Sequence, residues 1–195
     1  MLKIYFVRHG QTPLSRDNFF CGASNPDLTP EGARMAEALA DFYGNTKWQA
    51  IYASPMRRTI ATARPLARRV GLKIQMEKGL KEISYGKWEG HTVEIVRKRW
   101  PEDYIKWLAD PGWNAPTAGE TANQICARAM PVIDRIKKRH KDGNVAVISH
   151  KATIRIILCS FLGVDVGRFR YRLGAPVSSV SVVEFRNNIA DPVNR

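Results

Sequence analysis

The sequence predicts an α/β protein: a three-layer α/β/α sandwich with a mostly parallel sheet, helices on both faces and an inserted excursion of helices and loops. Three observations carry this. Short apolar runs of strand type alternate with stretches whose apolar residues recur at helical spacing. Helix starts are marked by Thr-Pro and Ser-Pro pairs, an N-cap residue followed by proline at the first helical position. The chain has 195 residues, 44% of them hydrophobic, which suits one domain able to bury roughly 70% of the surface its unfolded form exposes. That domain is expected to span residues 1–195, with an excursion at about 79–120 covering the site.

Taken in order, LKIYFVR at 2–8 is a short apolar strand. Thr29-Pro30-Glu31 opens a helix to about Gly44, with Met35, Leu39 and Phe42 on one face. Ala50 to Ala53 is a second strand, and Ser54-Pro55 repeats the start signal for a helix to about Gly71. Lys73 to Met76 is a third strand. Residues 79–120 break the rhythm: they hold four of the five tryptophans, Trp88, Trp100, Trp107 and Trp113, and one or two short helices are expected around 91–109. An insertion of that kind covers something. Its tryptophans read as a satellite core under a long loop, or one of them as a wall of the substrate pocket. Thr121 opens a long helix to about Arg139, with Ala122, Ile125, Ala129, Val132 or Ile133, and Ile136 at helical spacing. Asn144 to Ser149 is the most buried-looking strand, Thr153 to Leu162 a helix, and Ser178 to Phe185 the last strand.

Composition excludes several classes. A charged fraction of 25% beside an ordinary apolar content excludes a disordered chain. No apolar run approaches the ~20 residues of a membrane span, and the start lacks the cleavage site of a secretory signal. Cys21, Cys126 and Cys159 are odd in number and widely spaced, which suits a reducing cytoplasm rather than a disulfide framework. The net charge of +13 is spread evenly, +6 over residues 1–97 and +7 over 98–195. It reads as a solvated surface with an attraction for anions; no specific nucleic-acid partner and no membrane are expected. A homodimer is left open, because the apolar faces read equally as core.

Ligands in parallel sheets sit beyond the carboxyl ends of the strands, and three of the strands end in reactive groups. The first runs into Arg8-His9-Gly10, the second into Ser54-Pro55-Met56-Arg57-Arg58, and the fourth into Ser149-His150. Glu82, in the excursion, can reach over them. Guanidinium forks match phosphoryl oxygens in pairs. A neutral imidazole can accept a phosphoryl group, and a protonated carboxyl can protonate a leaving alkoxide. This set makes a phosphoryl-transfer site that needs neither metal nor other cofactor. Singly, each residue reads as structural or solvated; their joint placement at the strand ends is what points to chemistry.

FVRHGQT resembles the signature of the histidine phosphatase superfamily, and SPMRRTIATA, LKEISYGKWEG and VISHKATIR resemble its second, third and fourth motifs in order. The resemblance implies His9 as the nucleophile that becomes phosphohistidine. It implies Arg8, Arg58 and His150 as holders of the phosphoryl oxygens, and Glu82 as the acid and then the base. By the same resemblance the Gly10 region orients the His9 ring through backbone contact, and Gly10, Thr12, Ser15, Cys21, Gly22 and Lys151 are the expected substrate-binding positions. Ser15 stands where members often carry Asn, with Asn18 nearby, and Cys21 stands where Ser or Thr is common before Gly22. Cys21 is either an oxidisable thiol at the site rim or a small buried filler. Lys151 is either a cation at the substrate mouth or a solvated charge. The length and the segment WPEDYIKW resemble the compact phosphatases, such as metal-independent phosphoserine phosphatase and α-ribazole phosphatase. The implied activity is metal-independent hydrolysis of a small phosphomonoester, phosphoserine among the candidates. Mutase-type phosphoryl transfer and a non-catalytic phospholigand-binding or regulatory protein are the alternatives, and a nucleic-acid binder is a third class.

Overall fold

A computed structural model describes residues 1–186; residues 187–195 of the expected domain lie outside the described part. The elements are β1 (Leu2–Arg8), α1 (Pro13–Arg16), α2 (Pro30–Tyr43), β2 (Trp48–Ala53), α3 (Arg57–Val70), β3 (Ile74–Met76), α4 (Val93–Arg99), α5 (Pro101–Ala109), α6 (Ala122–Arg139), β4 (Gly143–Ser149), α7 (Lys151–Phe161), α8 (Phe169–Arg172) and β5 (Val180–Phe185).

The sheet order is β3-β2-β4-β1-β5. Pairs β3–β2, β2–β4 and β4–β1 are parallel, while β5 closes the edge antiparallel to β1. Side chains alternate across the pleat, so β4 sends Val145 and Val147 to one face and Ala146 and Ile148 to the other. On the first face they meet Ala129, Val132, Ile133 and Ile136 of α6 with Ile154, Ile157 and Leu158 of α7. On the second they meet Leu39 and Ala40 of α2 with Ala63, Leu66 and Ala67 of α3. Each large apolar side chain so buried contributes about 1.5–3 kcal/mol. These are the three layers the sequence predicts. Trp88, Val96, Tyr104 and Trp107 form a separate small core inside the excursion, whereas Trp113 is exposed.

Three local expectations are corrected. Phe42 does not share a buried face with Leu39: it is 80% exposed. The buried stripe of α2 is Gly32, Ala36, Leu39 and Ala40, three of them small residues that let α2 approach its neighbours closely. The second helix does not start at Ser54-Pro55 but at Arg57, with Met56 as N-cap. Ser54 is buried and occupied by other partners. Helix α7 begins at Lys151, directly after His150, rather than at Thr153.

Candidate active site

The pairing places Arg8 opposite Ser149 and Ala53 opposite Ile148, so the residues that follow β1, β2 and β4 emerge side by side. A cavity of about 370 Å³ opens there, and Arg8, His9, Ser15, Cys21, Gly22, Arg58, Glu82 and Lys151 all line it. Gly10, Thr12 and His150 do not reach its wall. Thr12 instead caps α1. Gly10 lies against α2, where a Cβ would come within 2.5 Å of Gly32 O; only glycine allows that approach.

The His9 ring is fixed by a 2.7 Å contact between Nδ1 and Gly10 O. A carbonyl only accepts, so Nδ1 carries the proton and Nε2 keeps its lone pair. Burial holds the His9 pKa well below its ordinary value of 6.5, and the charges of Arg58 and Arg8 add to this, against the opposing Gly10 contact. His9 is therefore a neutral imidazole at neutral pH, with its bare nitrogen available as a nucleophile.

Arg58 is fully buried in the first turn of α3. It donates to Ser24 O at 2.7 Å, to Gly22 O at 3.0 Å and, through Nε, to His150 Nδ1 at 3.2 Å. Two of its five N–H groups are left for an anion. His150 Nδ1 accepts from Arg58, so the ring's one proton is on Nε2, which donates to Ser54 Oγ at 2.8 Å. Both of its nitrogens are thus engaged, and His150 braces Arg58 from behind instead of offering a free donor to the cavity. Burial, then Arg58 and His9, also holds His150 well below its usual pKa. The two histidine ring centres lie 5.3 Å apart. Arg8 spends one donor on Ala175 O at 2.7 Å, while its buried Nε has no partner. Burial lowers the pKa of both arginines, yet a guanidinium stays charged at neutral pH.

Glu82 enters from the other side. Its Oε1 accepts from Ile83 N at 3.0 Å and Thr153 N at 3.2 Å, and lies 3.2 Å from the Thr153 hydroxyl; its Oε2 accepts only from Ala152 N at 3.2 Å. The N-cap of α7, His150, gives that helix no side-chain cap. Glu82 takes the role, filling two orphan amides at the positive end of the helix.

Two charged residues that sequence reasoning missed hold this geometry. Arg128 of α6 donates to the carbonyls of Gly79 (2.7 Å), Lys81 (2.9 Å) and Glu82 (3.0 Å), and forks onto Glu120 at 3.1 and 3.2 Å. It anchors the backbone on which Glu82 stands. Glu89 accepts from Ala23 N at 2.8 Å, Ser24 N at 2.9 Å and Tyr85 N at 3.1 Å. It ties the excursion to the loop whose carbonyls hold Arg58. In that loop Gly22 has φ +50°, and a Cβ there would strike the Glu89 carboxylate. Cys21 does lie at the rim, but burial raises its thiol pKa, which keeps it protonated and slow to oxidise. Lys151 lies at the mouth, its pKa lowered by partial burial and then by Arg8 and Arg155. Trp107 belongs both to the satellite core and to the cavity wall.

Among the described residues no group of three His, Cys, Asp or Glu could hold a metal ion. The arrangement is a neutral nucleophilic nitrogen between two guanidiniums, faced by one carboxyl.

The sequence matches the family model described as Histidine phosphatase superfamily (branch 1) over residues 4–192. It is 32% identical to Phosphoserine phosphatase 1 of Hydrogenobacter thermophilus, covering 100% of this chain and 92% of that protein. It is also 32% identical to the Bifunctional protein Rv2228c of Mycobacterium tuberculosis over 94% of this chain, but spans only 50% of that protein. The structure superimposes with a TM-score of 0.85 on a mycobacterial glucosyl-3-phosphoglycerate phosphatase in complex with VO3, at 25% identity, covering 93% of this chain and 90% of that one.

Proposed function

The chain belongs to the histidine phosphatase superfamily, branch 1, and is a phosphoric monoester hydrolase; from that premise we propose that it dephosphorylates a small phosphomonoester through a phosphohistidine at His9, with no metal ion in the chemistry. One observation carries the reading: the Nδ1 contact with Gly10 O leaves a neutral Nε2 among Arg8, Arg58 and Glu82. In the first half-reaction the Nε2 lone pair forms the N–P bond as the ester P–O bond breaks. Glu82 gives its proton to the leaving oxygen. Its less encumbered oxygen, Oε2, is the one placed to do so. The free donors of Arg8 and Arg58 hold the oxygens of the transferring group, and such positioning and charge stabilisation supplies most of the catalysis. In the second half-reaction the Glu82 carboxylate takes a proton from water. The hydroxide oxygen attacks phosphorus, the N–P bond breaks, and phosphate leaves with His9 restored.

The whole-chain likeness to a phosphoserine phosphatase makes phosphoserine the first ester to test. A cytoplasmic workplace is part of the same reading: the three cysteines are free, and no helix among the described residues is long and apolar enough to cross a membrane.

Single-turnover phosphorylation of Glu82→Gln tests the acid role. General acid catalysis is worth about 10²–10⁴-fold. An alkyl ester such as phosphoserine leaves as a basic alkoxide and should lose that much, whereas nitrophenyl phosphate, which leaves as a stable anion, should lose far less. Equal slowing of the two esters would remove Glu82 from the role. A chelator should leave the wild-type rate unchanged.

A further inference from the structure

Thr62 lies one turn after Arg58 on α3, fully buried, and does not line the cavity. Its hydroxyl makes two hydrogen bonds whose directions are fixed by their partners. Gly10 N only donates, so Thr62 Oγ1 accepts from it at 2.9 Å. Arg58 O only accepts, so the hydroxyl proton goes there, at 2.7 Å. A hydroxyl bonded to the carbonyl four residues back is ordinary in a helix and merely satisfies the side chain. The other bond crosses 52 residues of sequence, and the helix has no need of it. Through it one threonine joins the backbone that carries Arg58 to the backbone that follows His9.

Gly10 is where the nucleophile is set, because its carbonyl takes the Nδ1 proton of His9 at 2.7 Å and leaves Nε2 bare. Glycine has the widest backbone freedom of any residue and no side chain to anchor it. The peptide that joins His9 to Gly10 is held at its oxygen by Ser178 N, at 3.3 Å, and at its N–H by Thr62, at the shorter 2.9 Å. The next carbonyl, Gln11 O, accepts from Thr29 N at 2.9 Å. Without the Thr62 hydroxyl, Gly10 N is left buried with no acceptor, and Gly10 is free to turn its carbonyl away from the ring. The imidazole then takes up the other tautomer, with its proton on the nitrogen that has to attack. We propose that Thr62 is a positioning residue of this site: its hydroxyl holds Gly10 so that His9 keeps its proton on Nδ1 and a bare Nε2 at the cavity. The inference rests on the phosphatase reading above for the role of His9 and adds what keeps that nucleophile in its reactive form.

Thr62→Val removes the hydroxyl with little change in shape or helix propensity. Single-turnover phosphorylation should slow by at least about tenfold, and by the same factor for phosphoserine and nitrophenyl phosphate, because attack by the nucleophile is common to both. Inhibition by inorganic phosphate, which reads the hold of the guanidiniums on an anion, should stay within about threefold of wild type. Thr62→Ser keeps the hydroxyl and should phosphorylate within about threefold of wild type. Ring ¹⁵N spectra, with the His9 signals identified by their loss in His9→Gln, should show a protonated Nδ1 and a bare Nε2 in the wild type and the Ser variant, and a mixture of tautomers in the Val variant. The proposal is overturned by a folded Val variant as fast as wild type, by one that slows yet keeps the wild-type His9 spectrum, or by one whose phosphate inhibition weakens as much as its rate. A Ser variant as slow as the Val variant overturns it too. If the Val variant does not fold, Thr62→Ala carries the same comparison, and a bare Nδ1 in the wild type refutes the proposal without any variant. Failure of the wild type to turn over any ester, nitrophenyl phosphate included, would instead overturn the phosphatase reading, and the spectra would still decide what Thr62 does to His9.

Discussion

Replacing Arg128 with methionine separates positioning from chemistry. Arg128 does not itself line the cavity, yet its five hydrogen bonds join the carbonyls of Gly79, Lys81 and Glu82 to the Glu120 carboxylate. Hydrogen bonds to charged groups are worth ~1.5–3 kcal/mol each when a partner is left unpaired. Not all of that is lost here. The ion pair is about a quarter exposed, the carbonyls can take up water, and Glu120 keeps its bond from Ser84 N. The stability loss should be about 2–4 kcal/mol, which urea denaturation measures. The catalytic loss has a different signature. The backbone of Glu82 would lose its tether while the carboxylate stayed near the start of α7, a shift on the order of 1 Å that costs about 10²-fold when a group must be in line. That cost falls only on esters that need the acid. Phosphoserine turnover should drop roughly 10–100-fold and nitrophenyl phosphate turnover by several-fold at most. Arg128→Lys, with its charge but without the fork, should lie between. Equal losses on the two esters in a folded variant, or no loss on either, would refute the positioning argument.

Two further outcomes follow from the geometry. Arg58→Lys keeps the charge but cannot brace Gly22, Ser24 and His150 and still point at an anion, so kcat/KM should fall by the equivalent of about 2–4 kcal/mol, the scale of one transition-state donor; a value within threefold of wild type would place Arg58 outside the site. The lowered pKa values of His9 and His150 set a pH dependence with a definite sign. The unfolded chain takes up protons at both rings near pH 6.5 and the folded one does not, so stability should fall as pH drops from 7 to 5.5, while the acid limb of kcat/KM, which reports protonation of His9, should lie below 6.5. A urea midpoint unchanged over that range, or an acid limb at 6.5 or above, would contradict the neutral pair.

Much of this was legible in the sequence, for physical reasons. His9, Arg8, Arg58 and His150 sit at strand ends or just past them, and a parallel sheet can only bring such ends together at one edge. The helical period of Ala122, Ile125, Ala129, Val132 and Ile136 marks α6 because an amphipathic helix repeats its buried face. What failed depended on tertiary context. Ser54-Pro55 has the local chemistry of a helix start, but the Ser54 hydroxyl is taken by His150 and Thr59 closes onto Ser54 O at 2.8 Å, so the helix begins two residues later, with Met56 as N-cap. Phe42 has the right spacing for a buried face, but the contact of α2 is made by small residues around Ala36 and Ala40. Arg128 and Arg155 read locally as charges on helices. Only the return of the chain at Gly79–Glu82, and of α8 beside α7, turns one into an anchor and leaves the other buried without a counter-charge.

In the proposed reaction His9 Nε2 carries the phosphoryl group. Rapid quenching of the enzyme with ³²P-labelled phosphoserine, chelator present, tests it directly. The expected result is an acid-labile, base-stable label on the peptide that contains His9, formed fast enough to be an intermediate, and no label or turnover in His9→Ala. Label on another residue, full activity in the alanine variant, or loss of labelling on chelation that returns with added magnesium would contradict it.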